Sequence, residues 1–297
     1  MAGNGRAERL KMVRRLKRSS AYRVAYKDFD FIDSDYARAA RLQLELLKTE
    51  IGLRHAGVHS TIVVFGGTRI IQPSEARRKL QQAETRLRRR PNDPALRQAV
   101  RIARSVERKS VFYDEAREFA RLVSTESQIQ GNSEYVIVTG GGPGVMEAAN
   151  RGAHEAGAKT VGLNITLPHE QEPNPYITPE LCFQFHYFAI RKMHFMLRAK
   201  ALVAFPGGYG TMDELFEGLT LVQTRKVEPL PIILFGEKYW KGVIDFDFLV
   251  EQGTIAPEDV ELFVYADHAA DAWDYIKYFY AAHDPNHVGK RVIPETP

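Results

Sequence analysis

A chain of 297 residues with 44% hydrophobic side chains holds enough apolar material for one large α/β domain or two small ones. Its formal charge of +4 is uneven: residues 1–27 carry nine Lys/Arg against one acid, Glu8, so the remainder sits at about −4, which excludes a globular part that binds nucleic acid by being basic throughout. Cys182 is the single cysteine and no apolar run is long enough to cross a bilayer, so intramolecular disulfides and a spanning helix are excluded.

The basic segment 1–34 is expected to be a solvated arm. It has no apolar signal core, and a cytoplasmic address is the expectation. Tyr36 to Ile51, with Leu42, Leu44, Leu46 and Leu47 among charges, predicts an amphipathic helix. Thr61-Ile62-Val63-Val64-Phe65 predicts a buried strand that ends in Gly66-Gly67-Thr68-Arg69. Small residues at the carboxyl end of a first strand are where open α/β sheets place ligands. Residues 74–124 are long, charged and helical, broken by Arg90-Pro91-Asn92-Asp93-Pro94, and predict a two-helix hairpin. The basic run Arg86, Arg88, Arg89 and Arg90 reads as a solvated face.

A second strand at 135–138 runs into Thr139-Gly140-Gly141-Gly142-Pro143-Gly144 and then a helix ending near Gly157. Strands follow at 160–165 and 181–187, a helix at 188–200, and a strand at 201–205. The remaining elements are a strand at 231–236, a helix at 240–250, a short strand at 262–265 and a closing helix at 267–282. This alternation predicts an α/β fold, a doubly wound, Rossmann-like, mostly parallel sheet with helices on both faces. The expected division is an arm at 1–34, a single domain at 35–283 and a loose tail at 284–297.

The chemistry gathers at Pro206-Gly207-Gly208-Tyr209-Gly210-Thr211-Met212-Asp213-Glu214, between a strand and a helix. Glycines let a backbone approach a ligand closely, and the first turn of a helix offers unpaired N–H groups to an anion. The string is neither a P-loop nor G-x-G-x-x-G. Glu214 has two readings. Thr211-x-x-Glu214 is a capping box, in which Glu214 returns to the cap; alternatively, Glu214 faces a ligand. Arg191 sits between Phe188 and Phe195 on an apolar stripe, where a guanidinium needs an anionic partner. That partner is either a core carboxylate or, across a cleft, Glu214 and a phosphate. His186 and His194 have no neighbours at metal-ligand spacing and read as ordinary polar or core histidines. No G-x-S-x-G elbow supports a serine hydrolase.

Assembled, these residues resemble the LOG ("Lonely Guy") family of phosphoribohydrolases, often mislabelled lysine decarboxylases. The family signature P-G-G-x-G-T-x-x-E is matched by residues 206–214, its upstream arginine by Arg191 in Arg191-Lys192-Met193, and the bacterial G-G-G-x-G-x-M-x-A segment by Gly140 to Ala148. Two departures stand out: Gly66-Gly67-Thr68-Arg69 replaces the common Gly-Ser or Ser-Ser, and the hairpin 74–124 is long. The resemblance implies hydrolysis of the N-glycosidic bond of a nucleoside 5′-monophosphate, AMP or a cytokinin nucleotide, to free base and ribose 5-phosphate. It implies Glu214 and Arg191 as catalytic residues and Gly207, Gly208, Gly210 and Thr211 as the phosphate cradle. Gly141, Gly142, Met146, Lys192, Gly66 and Thr68 are implied around the substrate. No metal or organic cofactor is implied, no specific nucleic-acid partner is expected, and the family and the apolar helices suggest a homodimer or higher homo-oligomer. The alternatives are a nucleotide sensor or carrier without turnover on the same fold, or a nucleic-acid interaction through the basic arm.

Overall fold

The computed structural model describes residues 2–128, 133–168 and 172–283; the expected loose tail at 284–297 lies outside them. The chain divides into two compact units, Met1–Glu50 and Ile51–Pro297. In the first, the expected arm begins as helix α1 (Ala2–Arg18), exposed from Gly5 onward. Its Ala, Arg, Lys, Leu and Met residues are good helix formers. A short helix α2 (Phe29–Ile32) follows an Arg23–Asp28 ion pair of 2.9 Å, and helix α3 (Arg38–His55) comes next in the chain.

The second unit is the α/β body. Its elements run β1 (Thr61–Phe65), α4 (Pro73–Arg89), α5 (Pro94–Lys109), α6 (Val111–Ser127), β2 (Val136–Thr139), α7 (Val145–Glu155), β3 (Thr160–Ile165) and β4 (Cys182–Phe185). They continue through α8 (Phe188–Leu197), β5 (Ala199–Ala204), α9 (Tyr209–Gln223), β6 (Ile232–Phe235), α10 (Glu237–Lys241), α11 (Phe246–Glu251), β7 (Val264–Ala266) and α12 (Ala269–His283). The seven strands form one parallel sheet in the order β4-β3-β2-β1-β5-β6-β7. The fold is the doubly wound α/β class expected from the alternation of elements.

Strand β1 shows why the apolar runs read as strands. All five of its residues are buried, because helices cover both faces of a parallel sheet. Val63 and Phe65 join the core that holds Phe195 of α8, Leu215 of α9 and Trp240 of α10. Ile62 and Val64 join the core that holds Phe119 of α6, Ala149 of α7 and Trp273 of α12. Each such side chain contributes about 1.5–3 kcal/mol on burial.

The strand order places the site. The chain winds from β1 out to β4, then returns to lay β5 against the other side of β1. The switch point therefore falls between the carboxyl ends of β1 and β5, where a crevice opens. The Gly67 N–H donates to the Pro206 carbonyl at 2.9 Å and ties the two following loops together.

Three elements differ from expectation. The hairpin's second helix is two helices, α5 and α6, which meet at Ser110; the Ser110 N–H and Oγ both bond the Glu107 carbonyl and close α5. The helix expected to reach Lys200 ends at Leu197, and β5 begins at Ala199, because pairing with β1 claims that backbone. The helix expected at 240–250 is split into α10 and α11, with Asp245 capping α11 through the Phe248 N–H.

Candidate active site

Helix α9 begins at Tyr209, with Gly208 as its N-cap residue. Thr211 thus lies inside the first turn, not at the cap, and the Met212 N–H closes that turn on the Gly208 carbonyl at 3.1 Å. The capping-box reading of Glu214 is not realised, because the helix starts three residues earlier than Thr211 would have it. Glu214 is freed from the helix end. The residue is 8% exposed, and its side chain lines a cleft of about 270 Å³ at the switch point.

That cleft gathers most of the predicted residues. Gly66, Thr68, Met146, Arg191, Gly208, Gly210, Thr211 and Glu214 all line it. Gly66 and Thr68 come from the end of β1, Met146 from the start of α7, Arg191 from α8, and the rest from the β5–α9 loop and α9. Gly66 must be glycine, since a Cβ there would lie 2.6 Å from Val145. At the mouth, the N–H groups of Tyr209, Gly210 and Thr211 open the helix, where the dipole favours an anion.

Four predicted residues stand off the cleft wall. Gly207 lies behind it, where a Cβ would meet Thr211 Oγ1 at 2.0 Å, and its carbonyl accepts from the Tyr239 hydroxyl. Gly141 and Gly142 are tied down from the other side: their carbonyls each accept from Asn174 Nδ2 at 3.1 Å. Lys192 points along the outside of α9, paired with Asp213 at 2.8 Å and Glu217 at 3.2 Å. Alternate sides of α8 thus carry the two neighbouring cations, one inward and one outward.

Sequence reasoning missed other parts. Phe65, Gly67, Phe188 and Asp213 also line the cleft. Phe188 was legible only as a member of the apolar stripe, yet it is 50% exposed at the cleft, so its ring is available to a ligand. A buried amide network was not visible at all. Asn150 accepts from Thr139 Oγ1 at 2.7 Å and from Asn174 Nδ2 at 2.9 Å, and donates to Thr160 Oγ1 at 2.6 Å. Thr139 Oγ1 in turn accepts the Gly141 N–H at 2.9 Å. Each member is isolated in sequence, and only the fold joins them into a clamp on the second glycine loop.

The electrostatics of the cleft centre on Glu214 and Arg191. Burial pushes the Glu214 carboxyl up to about 7, against the opposing pull of Lys192 and Arg191. Burial likewise lowers Arg191, and the Glu214 charge only partly offsets this. The two approach to 4.0 Å, side chains 13% and 10% exposed, which is an ion pair held short of a tight one. Arg191 is fixed instead by its Nε, which donates to the Leu163 carbonyl at 2.7 Å, and by the Phe195 ring 5.1 Å below the guanidinium. Its terminal nitrogens stay directed at the cleft side, close against Gly140, where a Cβ would meet Nη2 at 2.5 Å. A carboxylate poised near neutrality beside a fixed guanidinium suits acid–base work and the binding of an anionic or cationic centre. His194 is buried against Phe185, ring centroids 5.7 Å apart, as expected of a core histidine.

Fold and cleft define a doubly wound α/β protein whose ligand crevice, at the switch point, holds a buried carboxylate–arginine pair under a helix N-terminus. Comparison with known proteins narrows this. A family model described as "possible lysine decarboxylase" matches residues 146–276. Cytokinin riboside 5′-monophosphate phosphoribohydrolase LOG3 of Arabidopsis thaliana is 25% identical over 181 residues, 60% of this chain and 80% of that protein. The probable phosphoribohydrolase LOGL5 of Oryza sativa is 30% identical over 140 residues, 46% of this chain and 55% of that protein. LOG7 of Arabidopsis thaliana is 29% identical over 156 residues, 49% of this chain and 70% of that protein. Among solved structures, the Moco carrier protein of Chlamydomonas reinhardtii matches with 24% identity and a TM-score of 0.40, over 58% of this chain and 89% of that one. Over these spans the chain is similar to the LOG phosphoribohydrolases.

The name of the matching family model fits the cleft poorly. A lysine decarboxylase forms a Schiff base between a lysine and pyridoxal phosphate. None of the residues lining the cleft is a lysine. Burial alone would lower the Lys192 ammonium, but hydrogen bonds to Asp213 and Glu217 outweigh it and raise its affinity for the proton. A Schiff-base lysine needs the opposite.

Proposed function

We propose that this protein hydrolyses the N-glycosidic bond of a nucleoside 5′-monophosphate, AMP or a cytokinin nucleotide, releasing the free base and ribose 5-phosphate. The observation that carries the reading is the carboxylate of Glu214, buried in the cleft and held near neutrality beside Arg191. Cleavage of an N-glycoside builds positive charge on the sugar, as cleavage of an O-glycoside does. Ionised Glu214 stabilises that charge and takes a proton from the attacking water, whose oxygen bonds C1′ as the C1′–N bond breaks; that proton then passes to the departing base and leaves Glu214 ionised. Arg191 holds the ribose or phosphate and keeps Glu214 in register. The N–H groups at the start of α9, with the Thr211 hydroxyl, receive the 5′-phosphate. Binding energy at that remote phosphate then orients the reacting bond, so a nucleoside without phosphate is a poor substrate. Phe188 and Met146 offer apolar contact to the base. The LOG relatives, which carry phosphoribohydrolase names, support the same reading.

The matching oligomer proposal rests on the outer face of α8. Met193 and Leu197, one turn apart, are 39% and 52% exposed there, an apolar patch suited to a second copy. Light scattering on wild type and on M193E/L197E tests it: the wild type is expected as a dimer or larger and the variant as a monomer. A monomeric wild type ends that proposal.

The activity is tested by incubating the protein with AMP, with isopentenyladenosine monophosphate and with adenosine, and following base release by chromatography. Base is expected from at least one monophosphate and not from adenosine. Binding of the monophosphates without release of base from any purine or pyrimidine nucleotide would instead favour a sensor or carrier.

A further inference from the structure

Residues 73–109, which make up α4 and α5, contain twelve Lys/Arg and four Asp/Glu, a formal +8. With the +8 of residues 1–27, this leaves the rest of a +4 chain at −12. The hairpin is therefore a concentrated cationic protrusion on an otherwise acidic body. Its two helices pack chiefly on each other, and only Ala76 and Val100 among their residues are buried.

The carboxylates present do not neutralise it. Glu75 pairs with Lys79 at 2.9 Å and lies 3.9 Å from Arg78, and Glu84 pairs with Arg104 at 2.9 Å. Among the described residues, Arg77, Arg86, Arg88, Arg89, Arg90, Arg97, Arg101, Arg108 and Lys109 have no carboxylate partner. Arg97, Arg101, Arg104 and Arg108 follow each other at intervals of four, three and four residues. They form one exposed stripe along α5, about 16 Å long at 1.5 Å per residue. Like charges at that spacing weaken a helix by about 0.2–0.5 kcal/mol per pair. Arg104 ties α5 to α4 through Glu84, and Arg97 holds the turn through the Pro91 carbonyl and Asn92 Oδ1, but these contacts leave the charge of Arg97, Arg101 and Arg108 without a carboxylate among the described residues.

We propose that the α4–α5 hairpin docks on the phosphodiester backbone of a nucleic-acid duplex. Ten of its twelve cations are arginines, whose planar guanidinium matches phosphate in two-point contact. A straight, evenly spaced arginine row fits a regular row of phosphates. Residues 73–109 contain no Phe, Tyr or Trp, so unpaired bases have nothing to stack on. An acidic protein would lack the aromatic anchors common in protein interfaces. A membrane would find, of large apolar side chains on this hairpin, only Ile102 strongly exposed. Binding here is of the sequence-tolerant, salt-dependent kind. The inference is independent of the nucleotide-hydrolysis reading.

The test uses the full chain, fluorescein-labelled 20-base-pair DNA and RNA duplexes and a single strand of equal length, with anisotropy read from 50 to 300 mM salt. Two variants are compared with wild type: R97Q/R101Q/R104Q/R108Q and R86Q/R88Q/R89Q/R90Q. Wild type is expected to bind at least one duplex more tightly than the single strand, with affinity falling steeply in salt. Each variant is expected to lose about tenfold or more in affinity and to flatten the log–log salt slope by up to about 3.6, since each of four lost phosphate contacts removes about 0.9. Thermal stability is expected to hold or rise in R86Q/R88Q/R89Q/R90Q, whose arginines have no carboxylate partner among the described residues, so a lost affinity there is not a lost fold. The DNA and RNA arms decide which duplex is the ligand. The proposal fails if wild type binds neither duplex, if it prefers the single strand or polyglutamate, or if both variants keep the wild-type slope. It also fails if R14Q/R15Q/R18Q in α1 abolishes binding that the hairpin variants leave intact.

Discussion

Glu214 carries a cost that a helix-capping carboxylate would not. Its carboxyl is raised to about 7 from an ordinary value of about 4.3. A raised carboxyl means the fold prefers the neutral form. Below the unfolded value there is no penalty; it builds as pH rises toward 7 and is complete above it. Glu214→Gln is neutral at every pH, so it is expected to stabilise the protein at pH 8 by up to about 3 kcal/mol. The gain shrinks as pH is lowered toward 5, and melting temperatures of both proteins across that range check it. An unchanged or lowered melting temperature at pH 8 would mean the ionised carboxylate is well solvated or well paired. The same carboxyl predicts that kcat/KM for the proposed hydrolysis rises with pH through a midpoint near 7. Lys192 opposes the shift from outside the cleft, while Asp213 and Glu217 add to it. Lys192→Met is therefore expected to move that midpoint upward. A downward move would contradict the assigned electrostatics.

The two glycine loops are held by different devices, and substitutions separate them. Gly207→Ala places a methyl 2.0 Å from Thr211 Oγ1 and 2.6 Å from its Cβ. The first turn of α9 must shift, at about 1–3 kcal/mol, and substrate binding is expected to weaken with it, read as raised KM and lowered melting temperature. Asn174→Ala leaves the buried carbonyls of Gly141 and Gly142 and the Asn150 Oδ1 without their shared donor. About 1–3 kcal/mol of stability is expected to go with it, and a neutral melting temperature would show that water takes over those bonds. The buried strands and both glycine turns were legible because apolar runs and glycine strings mark themselves locally. The start of α9 was not. Gly208-Tyr209-Gly210 reads as loop, since glycine is a poor helix former, yet α9 begins at Tyr209 and closes its first turn through the Met212 N–H on the Gly208 carbonyl. The break at Ser110 escaped notice because serine in a helical conformation interrupts no pattern. The Asn150–Asn174 clamp escaped because its members come from four separate segments and meet only after the sheet forms.

At the scale of the molecule, the strand order makes the site. Returning from β4 to β5 sets the loop after β5 beside the loop after β1, and α8, which precedes β5, delivers Arg191 between them. Arg191 and Glu214 could be paired from the sequence as candidates, because motif and apolar stripe were both visible. Their separation of 4.0 Å and the turning of Lys192 to Asp213 and Glu217 depend on where the sheet sets α8 and α9, which local sequence does not encode. The central claim joins these scales: Glu214 serves the reaction and not the fold. The most direct measurement is the rate of base release from a nucleoside 5′-monophosphate by wild type and Glu214→Gln, with nucleotide affinity measured by calorimetry on both. The account predicts affinity within a few fold, a rate lower by about 10²–10⁴ in the variant, and a variant at least as stable as wild type. Equal rates in the two proteins, or a variant that loses activity only because it unfolds, would contradict it.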